Sequence, residues 1–231
     1  MAALALFGLW QWATWPDVAA LAKRDPVSTA FIERARELQV QGSTGAARAA
    51  GERIDWRPVP LARIAPTLRL AVVVAEDIDF FSHHGFATAE MKKALVDAWE
   101  DKEMPRGAST LTQQLAKNLW LSPSRTPWRT VKEALLTREL ERRLTKRRIL
   151  ELYLTVAALG PGVYGVEAAS RRYFGKSAAA LDLREAAALA ASLPKPSSWH
   201  PGSTSKVYRR RIEIVVGRME RAGPWLRPLV E

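Results

Sequence analysis

At 231 residues the chain is long enough for one sizeable core and too short for two comfortable domains. It has no cysteine, which excludes a disulfide framework, a thiolate nucleophile and a sulfur-ligated metal, and its three histidines, at 83, 84 and 200, lack the His-x-x-x-His spacing of a zinc site. A formal charge of +11 and a pI near 10.3 call for an anionic partner: nucleic acid, a lipid surface or a phosphorylated substrate.

The opening stretch, MAALALFGLWQWATW, is apolar, holds three tryptophans and carries no charge before Asp17. A spanning helix needs about 20 apolar residues, and a secretory signal needs a basic n-region; the stretch has neither. It reads as a truncated membrane anchor over 1–22, with Trp10, Trp12 and Trp15 as an interfacial belt, and a buried amphipathic helix is the alternative. Residues 23–54 read as a linker with a helix over 28–39 and a mobile small-residue stretch over 42–51, within a proline-marked tether that runs to about residue 65.

The body proper, 55–231, opens with an apolar run over 68–75 that is interrupted only by Arg69 and leads into Glu76, Asp77 and Asp79. Entered at Pro66, it predicts a buried helix whose last turn delivers Glu76 to the edge of a core. A carboxylate there is partly desolvated, which raises its pKa and suits it to general acid or base work. Read from this segment alone, Glu76 and Asp77 equally well end a helix in water.

Thr88 then caps a helix over 88–99, and 100–108 is a loop. Ser109 caps a helix to Leu119 with two faces: Leu111, Leu115 and Leu119 toward the core, and Thr110, Gln113, Gln114, Lys117 and Asn118 as a neighbouring polar row. That row suits a sugar or phosphate held by hydrogen bonds and one cation, with a solvated face as the bland alternative. After the loop LSPSRTP a long helix starts with Pro127 at its first position and places Arg129 one turn from Glu133. Between 125 and 148 nine basic residues face three acidic ones, an excess beyond what pairing along the helix can use. Basic groups beside a carboxylate suit a pyrophosphate leaving group. Trp120, Leu121 and Trp128 lie among Lys117, Arg125 and Arg129 as in a membrane-surface patch. Nucleic acid is disfavoured, because these aromatics cluster with aliphatics and no recognition-helix or zinc-finger pattern occurs.

Another helix begins near Thr145, and Gly160, Gly162 and Gly165 mark a turn. Gly175 ends the helix after it, Asp182 with Glu185 opens an alanine-rich helix running up to Pro194, and a basic helix covers 205–221. Without sustained period-two alternation, the fold class is all-α.

At these residues the chain resembles the peptidoglycan glycosyltransferases of family 51, of the monofunctional, membrane-anchored biosynthetic kind. The motif E-D-x-x-F-x-x-H-x-G is matched by Glu76, Asp77, Phe80, His83 and Gly85, and the G-[GA]-S-T-x-T-Q-Q-x-x-K-N motif by 107–118, with Ala108 at the small second position. R-K-x-x-E is similar to 129–133, KRRILELYL and GPGVYGVEAASRRYFGK resemble the next two blocks, and LPKPSSWHP the closing one, so ordered blocks span roughly 55–221.

The resemblance implies a lysozyme-like helical lobe beside a smaller membrane-associated lobe. It implies polymerisation of lipid II into β-1,4-linked glycan with release of undecaprenyl pyrophosphate. Glu76 is then the general base for the incoming 4-hydroxyl. Glu133 is the second carboxylate, acting at the pyrophosphate with Lys117 and Arg129 and with room for a divalent cation, Mg2+ or Mn2+. Thr110, Gln113, Gln114 and Asn118 would line the donor site, supported by Asp77, Phe80, His83 and Ser109. The expected partners are lipid II, the growing glycan, a membrane surface and cell-division or cell-wall synthesis proteins, with no nucleic acid. The expected location is the bacterial inner membrane, with the catalytic domain on the outer side. A lysozyme-like lytic enzyme and an inactive lipid II-binding scaffold are the competing readings. Three positions depart from the family pattern: Thr130 replaces lysine, Thr155 replaces asparagine and Ala158 replaces glutamate.

Overall fold

The computed structural model describes residues 9–11, 13–41, 54–87, 109–122 and 126–231. The described α-helices, in chain order, are α1 (Ala30–Gln41), α2 (Pro66–Glu76), α3 (Leu111–Trp120), α4 (Pro127–Arg143), α5 (Lys146–Val156), α6 (Val166–Phe174), α7 (Leu183–Ser192) and α8 (Lys206–Val230). Three strands, β1 (Asp55–Trp56), β2 (Ala158–Gly160) and β3 (Val163–Tyr164), form a small sheet in the order β1-β3-β2. The described residues are therefore mostly helical, as expected, with this small sheet in addition. Strands of two and three residues are too short to print a period-two pattern. The expected helix over 88–99, the loop over 100–108, the stretch 42–51, Trp12 and Arg125 lie outside the described residues.

Helix α2 is the axis of the core. Pro66 stands at its start, where a missing N–H costs nothing, and every residue from Leu68 to Ala75 is buried between α7 and α8. Three consecutive valines carry poor helix propensity, so packing on all sides, not propensity, sustains this helix. The one charge in the run, Arg69, is buried, and it spends its guanidinium on the carbonyls of Leu61, Ile64, Val230 and Glu231 at 2.7 to 3.1 Å. It thereby ties the end of α8 to the start of α2. A second group, α3 with α4 and α5, packs as a separate set of neighbours within the same apolar cluster, and α1 lies against α3.

Several helix ends are where local chemistry predicts. Thr145 caps α5, Asp182 and Glu185 form a reciprocal capping box at α7, and Gly175 closes α6 in the left-handed conformation at φ 70°. Two ends differ. Thr110, not Ser109, caps α3, in a capping box with Gln113. α8 runs past the expected Arg221, through Pro224 and Pro228 to Val230, because Ala222, Leu226 and Val230 continue the buried stripe at i, i+4, i+8.

The described residues around the start of the expected tether are packed. Val18 and Leu21 belong to the core, and Arg148 of α5 holds Leu21 O, Arg24 O and the Asp25 carboxylate at 2.7 to 2.9 Å. Trp15 is likewise held by the protein: its indole Nε1 donates to Glu139 of α4 at 3.1 Å, and Lys132 lies over its ring. Among the described residues no helix is long and apolar enough to cross a membrane.

Candidate active site

The site lies where the two helix groups meet, at the C-terminal end of α2. Glu76 is the last residue of that helix, and Asp77 breaks it with φ −162° and ψ 78°. The Asp77 carboxylate then does structural work. It accepts the backbone N–H of Leu111, the first residue of α3, at 2.9 Å and the Nε2–H of His83 at 2.9 Å. A carboxylate at a helix N-terminus is favoured by the helix dipole, so Asp77 locks the end of α2 to the start of α3. His83 Nδ1 accepts the Gly85 N–H at 3.0 Å, which makes it a neutral imidazole with its proton on Nε2. Thr110 donates its hydroxyl to Gly85 O at 2.7 Å and closes the loop back onto α3. Asp77, His83 and Thr110 thus hold the backbone around Glu76. Phe80, with no exposed surface, supports them from beneath under the Lys146 ammonium.

With Thr110 and Gln113 committed to the cap, the polar row that remains is Ser109, just before α3, with Gln114, Lys117 and Asn118 along it. Gln114 Nε2 donates to Glu76 Oε2 at 3.1 Å and to Ser109 O at 3.3 Å. One turn on, Lys117 Nζ donates to Ser109 Oγ at 3.2 Å and lies 3.8 Å from Glu133 Oε1. The other oxygen of Glu133 accepts from Arg129 Nη2 at 3.1 Å, within α4. One face of α3 therefore joins the two carboxylates, Glu76 through Gln114 and Glu133 through Lys117. Neither is sealed: their side chains keep 11% and 13% of their surface exposed. Asn118 sits half-buried beside this row.

Burial sets the electrostatics. It pushes the Glu76 carboxyl above the usual carboxylate range, against the opposing pull of Gln114, Arg211 and Arg218. It also pushes the Lys117 ammonium below the usual lysine range, Glu133 opposing and Arg129 reinforcing the shift.

Two contributors went unrecognised in the sequence. Tyr153 of α5, read there as core, is indeed buried, yet its hydroxyl donates to Gln114 Oε1 at 2.8 Å and so turns the amide nitrogen toward Glu76. Arg211 of α8 pairs with Glu76 Oε1 at 3.2 Å from within an undistinguished basic run. Beside this pair a cleft of about 510 Å3 opens between the end of α2 and α8, lined by Glu76, Asp77, Ile78, Arg218, Arg221 and Trp225 among others.

Among the described residues no cluster of three or more His, Cys, Asp or Glu side chains could hold a metal alone. Both oxygens of Glu133 already face cations, so among the described residues this one carboxylate is what the site offers a divalent cation.

Residues 44–220 match the family described as transglycosylase. The chain belongs to the transglycosylase family. Among its relatives are proteins named biosynthetic peptidoglycan transglycosylase. That of Methylobacillus flagellatus is 38% identical over 220 residues, covering 95% of this chain and 93% of its own. That of Thiobacillus denitrificans is 42% identical over 214 residues, 93% of this chain and 90% of its own. That of Shewanella amazonensis reaches 47% over 171 residues, 74% and 69% of the two chains. Of the three positions that the sequence marks as departing from the family pattern, Thr130 is exposed on α4, Thr155 is buried in α5, and Ala158 lies half-buried on β2.

Proposed function

We propose that the chain polymerises peptidoglycan glycan strands, transferring the growing glycan from its undecaprenyl pyrophosphate carrier to the 4-hydroxyl of lipid II. The observation that carries this reading is that one face of α3 reaches both carboxylates, Glu76 through Gln114 and Glu133 through Lys117, with Lys117 and Arg129 together at the second. Glu76 takes the proton of the acceptor hydroxyl, whose oxygen attacks the anomeric carbon of the donor sugar. The bond from that carbon to the pyrophosphate oxygen breaks, and the electron pair leaves with the pyrophosphate. Lys117 and Arg129 neutralise the charge that develops there, and Glu133 holds the two cations in place. Attack from the side opposite the leaving group inverts the α-linked donor to a β-1,4 product. Glu133 is also the single carboxylate through which a divalent cation bound to the pyrophosphate would be held, adding Lewis-acid neutralisation of the leaving group.

The membrane association belongs to the same proposal. Trp128, Val131 and Leu135 form an exposed apolar row on α4 at i, i+3, i+7, and the exposed Leu9 and Trp10 approach that helix through the Gln11–Lys132 contact at 3.4 Å. Apolar side chains interleaved with Arg129 and Lys132 suit an anionic lipid surface, which is where a lipid-linked substrate resides. The smaller lobe dips toward that surface, and the chain works on the outer side of the bacterial cytoplasmic membrane.

Incubating the purified chain with lipid II tests the reading. Long glycan is the expected product. Shortening of preformed strands would make the enzyme lytic, and binding without product would make it a scaffold.

A further inference from the structure

Helix α8 runs alongside α2 in the opposite direction. Arg211 meets Glu76, Arg218 meets the carbonyls of Val74 and Ala75 at 3.3 and 3.5 Å, and the α-carbon of Gly223 faces Leu70. The first of these contacts falls on the base itself. Among the described residues each Glu76 oxygen has one protein donor: Gln114 on Oε2, steered by Tyr153, and Arg211 on Oε1.

We propose that Arg211 is the positioning residue of the general base, holding the Glu76 carboxylate ionised and in one orientation while the acceptor hydroxyl approaches. This inference deepens the reading above and rests on it for its catalytic meaning. The groups that face Glu76 from each packed element are Gln114 from α3, Tyr153 from α5, Asp77 with its partner His83 in the following loop, and Arg211 and Arg218 from α8. Only Arg211 among them combines a full positive charge with direct contact. Arg218 spends its Nη1 on the last carbonyls of α2, and Lys117 is directed to Ser109 and Glu133. Burial disfavours ionisation of Glu76. Arg211 is the counterweight that lets a desolvated carboxylate remain a base. Its Nε is buried with no acceptor among the described residues, so the Glu76 pair is the contact that orients this guanidinium.

The proton cycle follows. As the acceptor oxygen bonds to the anomeric carbon, its proton passes to Glu76, and the ion pair becomes a neutral acid beside a guanidinium. That arrangement favours return of the proton to water once product has moved on, and the base is reset.

The test uses the full chain with Arg211→Met, and with Arg211→Gln, which keeps a hydrogen-bond donor and removes the charge. The side-chain carboxyl of Glu76 is titrated by carbon-13 NMR without substrate, its signal assigned by its loss in Glu76→Gln. The pH profile of kcat/KM for lipid II polymerisation is recorded alongside. Both variants are expected to raise the titration midpoint of Glu76 and to move the acid limb of the profile to higher pH, with activity recovering toward the alkaline end. Tyr153→Phe, which frees Gln114 without changing charge, lowers the rate. An unmoved Glu76 titration in both variants overturns the proposal, as does a uniform loss of activity at every pH. A shifted titration in a chain whose wild type makes no polymer upholds the Arg211 pairing and defeats the proposed function instead.

Discussion

At the scale of single residues, burial shifts two groups in opposite directions, and both shifts narrow the range in which the site can work. Glu76 must be unprotonated to act as base, and its pKa is raised, so activity is lost as pH falls through a value above the ordinary 4.5. Lys117 must be protonated to hold the pyrophosphate, and its pKa is lowered, so activity is lost as pH rises through a value below the ordinary 10.5. A bell-shaped profile of kcat/KM is expected, narrower on both sides than unperturbed groups would give. Lys117→Arg keeps the charge at all accessible pH and should extend the alkaline limb while leaving the acid limb where it is. An alkaline limb that does not move in that variant would assign it to another group.

The same shift carries a stability consequence with a definite sign. The folded state holds the Glu76 proton to higher pH than the unfolded chain does, so this residue's contribution to stability falls as pH rises from the ordinary carboxylate value through the folded one. That Glu76 and Glu133 lie near one helix face was legible in the sequence because motif spacing marks carboxylates well. Tyr153 and Arg211 were not. A tyrosine at helical spacing shows its apolar body and conceals where its hydroxyl points, and the second of two adjacent helix faces in Tyr208-Arg209-Arg210-Arg211 becomes special only when α8 is laid against α2.

At the scale of elements, α3 decides the geometry. Its first turn closes on itself through Thr110 and Gln113, and its second and third turns reach the two carboxylates. A polar row read along one helix face could not separate the cap from the site, since both uses favour the same residue types. Local chemistry predicted the caps of α5 and α7 and the proline starts of α2 and α4. Long-range packing set the rest: the sheet, and the passage of α8 through two prolines. The β3–α6 junction is one such place. Gly165 has φ +77°, and a β-carbon there would run into the carbonyl oxygen of Thr155. Gly165→Ala combines left-handed strain with that collision and should destabilise the fold by about 1–3 kcal/mol, read as a lower denaturant midpoint at unchanged m. A midpoint equal to wild type would show that the turn relaxes freely.

At the scale of the whole molecule, the +11 charge, the apolar row on α4 and the Lys117–Arg129 pair at Glu133 suit a protein that meets an anionic, lipid-linked substrate. The N-terminal residues strap across α4 and α5 through Trp15, Lys132 and Arg148, so whatever holds the start of the chain also holds the helix that carries Glu133. The division of labour between the two carboxylates is the claim on which function depends, and removing one proton acceptor without disturbing the fold tests it most directly. Lipid II polymerisation is to be measured for Glu76→Gln beside wild type, with matching circular dichroism. The amide keeps the size of the side chain and its contact with Gln114 but cannot take a proton, so a loss of roughly a hundredfold or more is expected. Polymerisation within a few-fold of wild type by the folded variant would contradict the role of Glu76 as base.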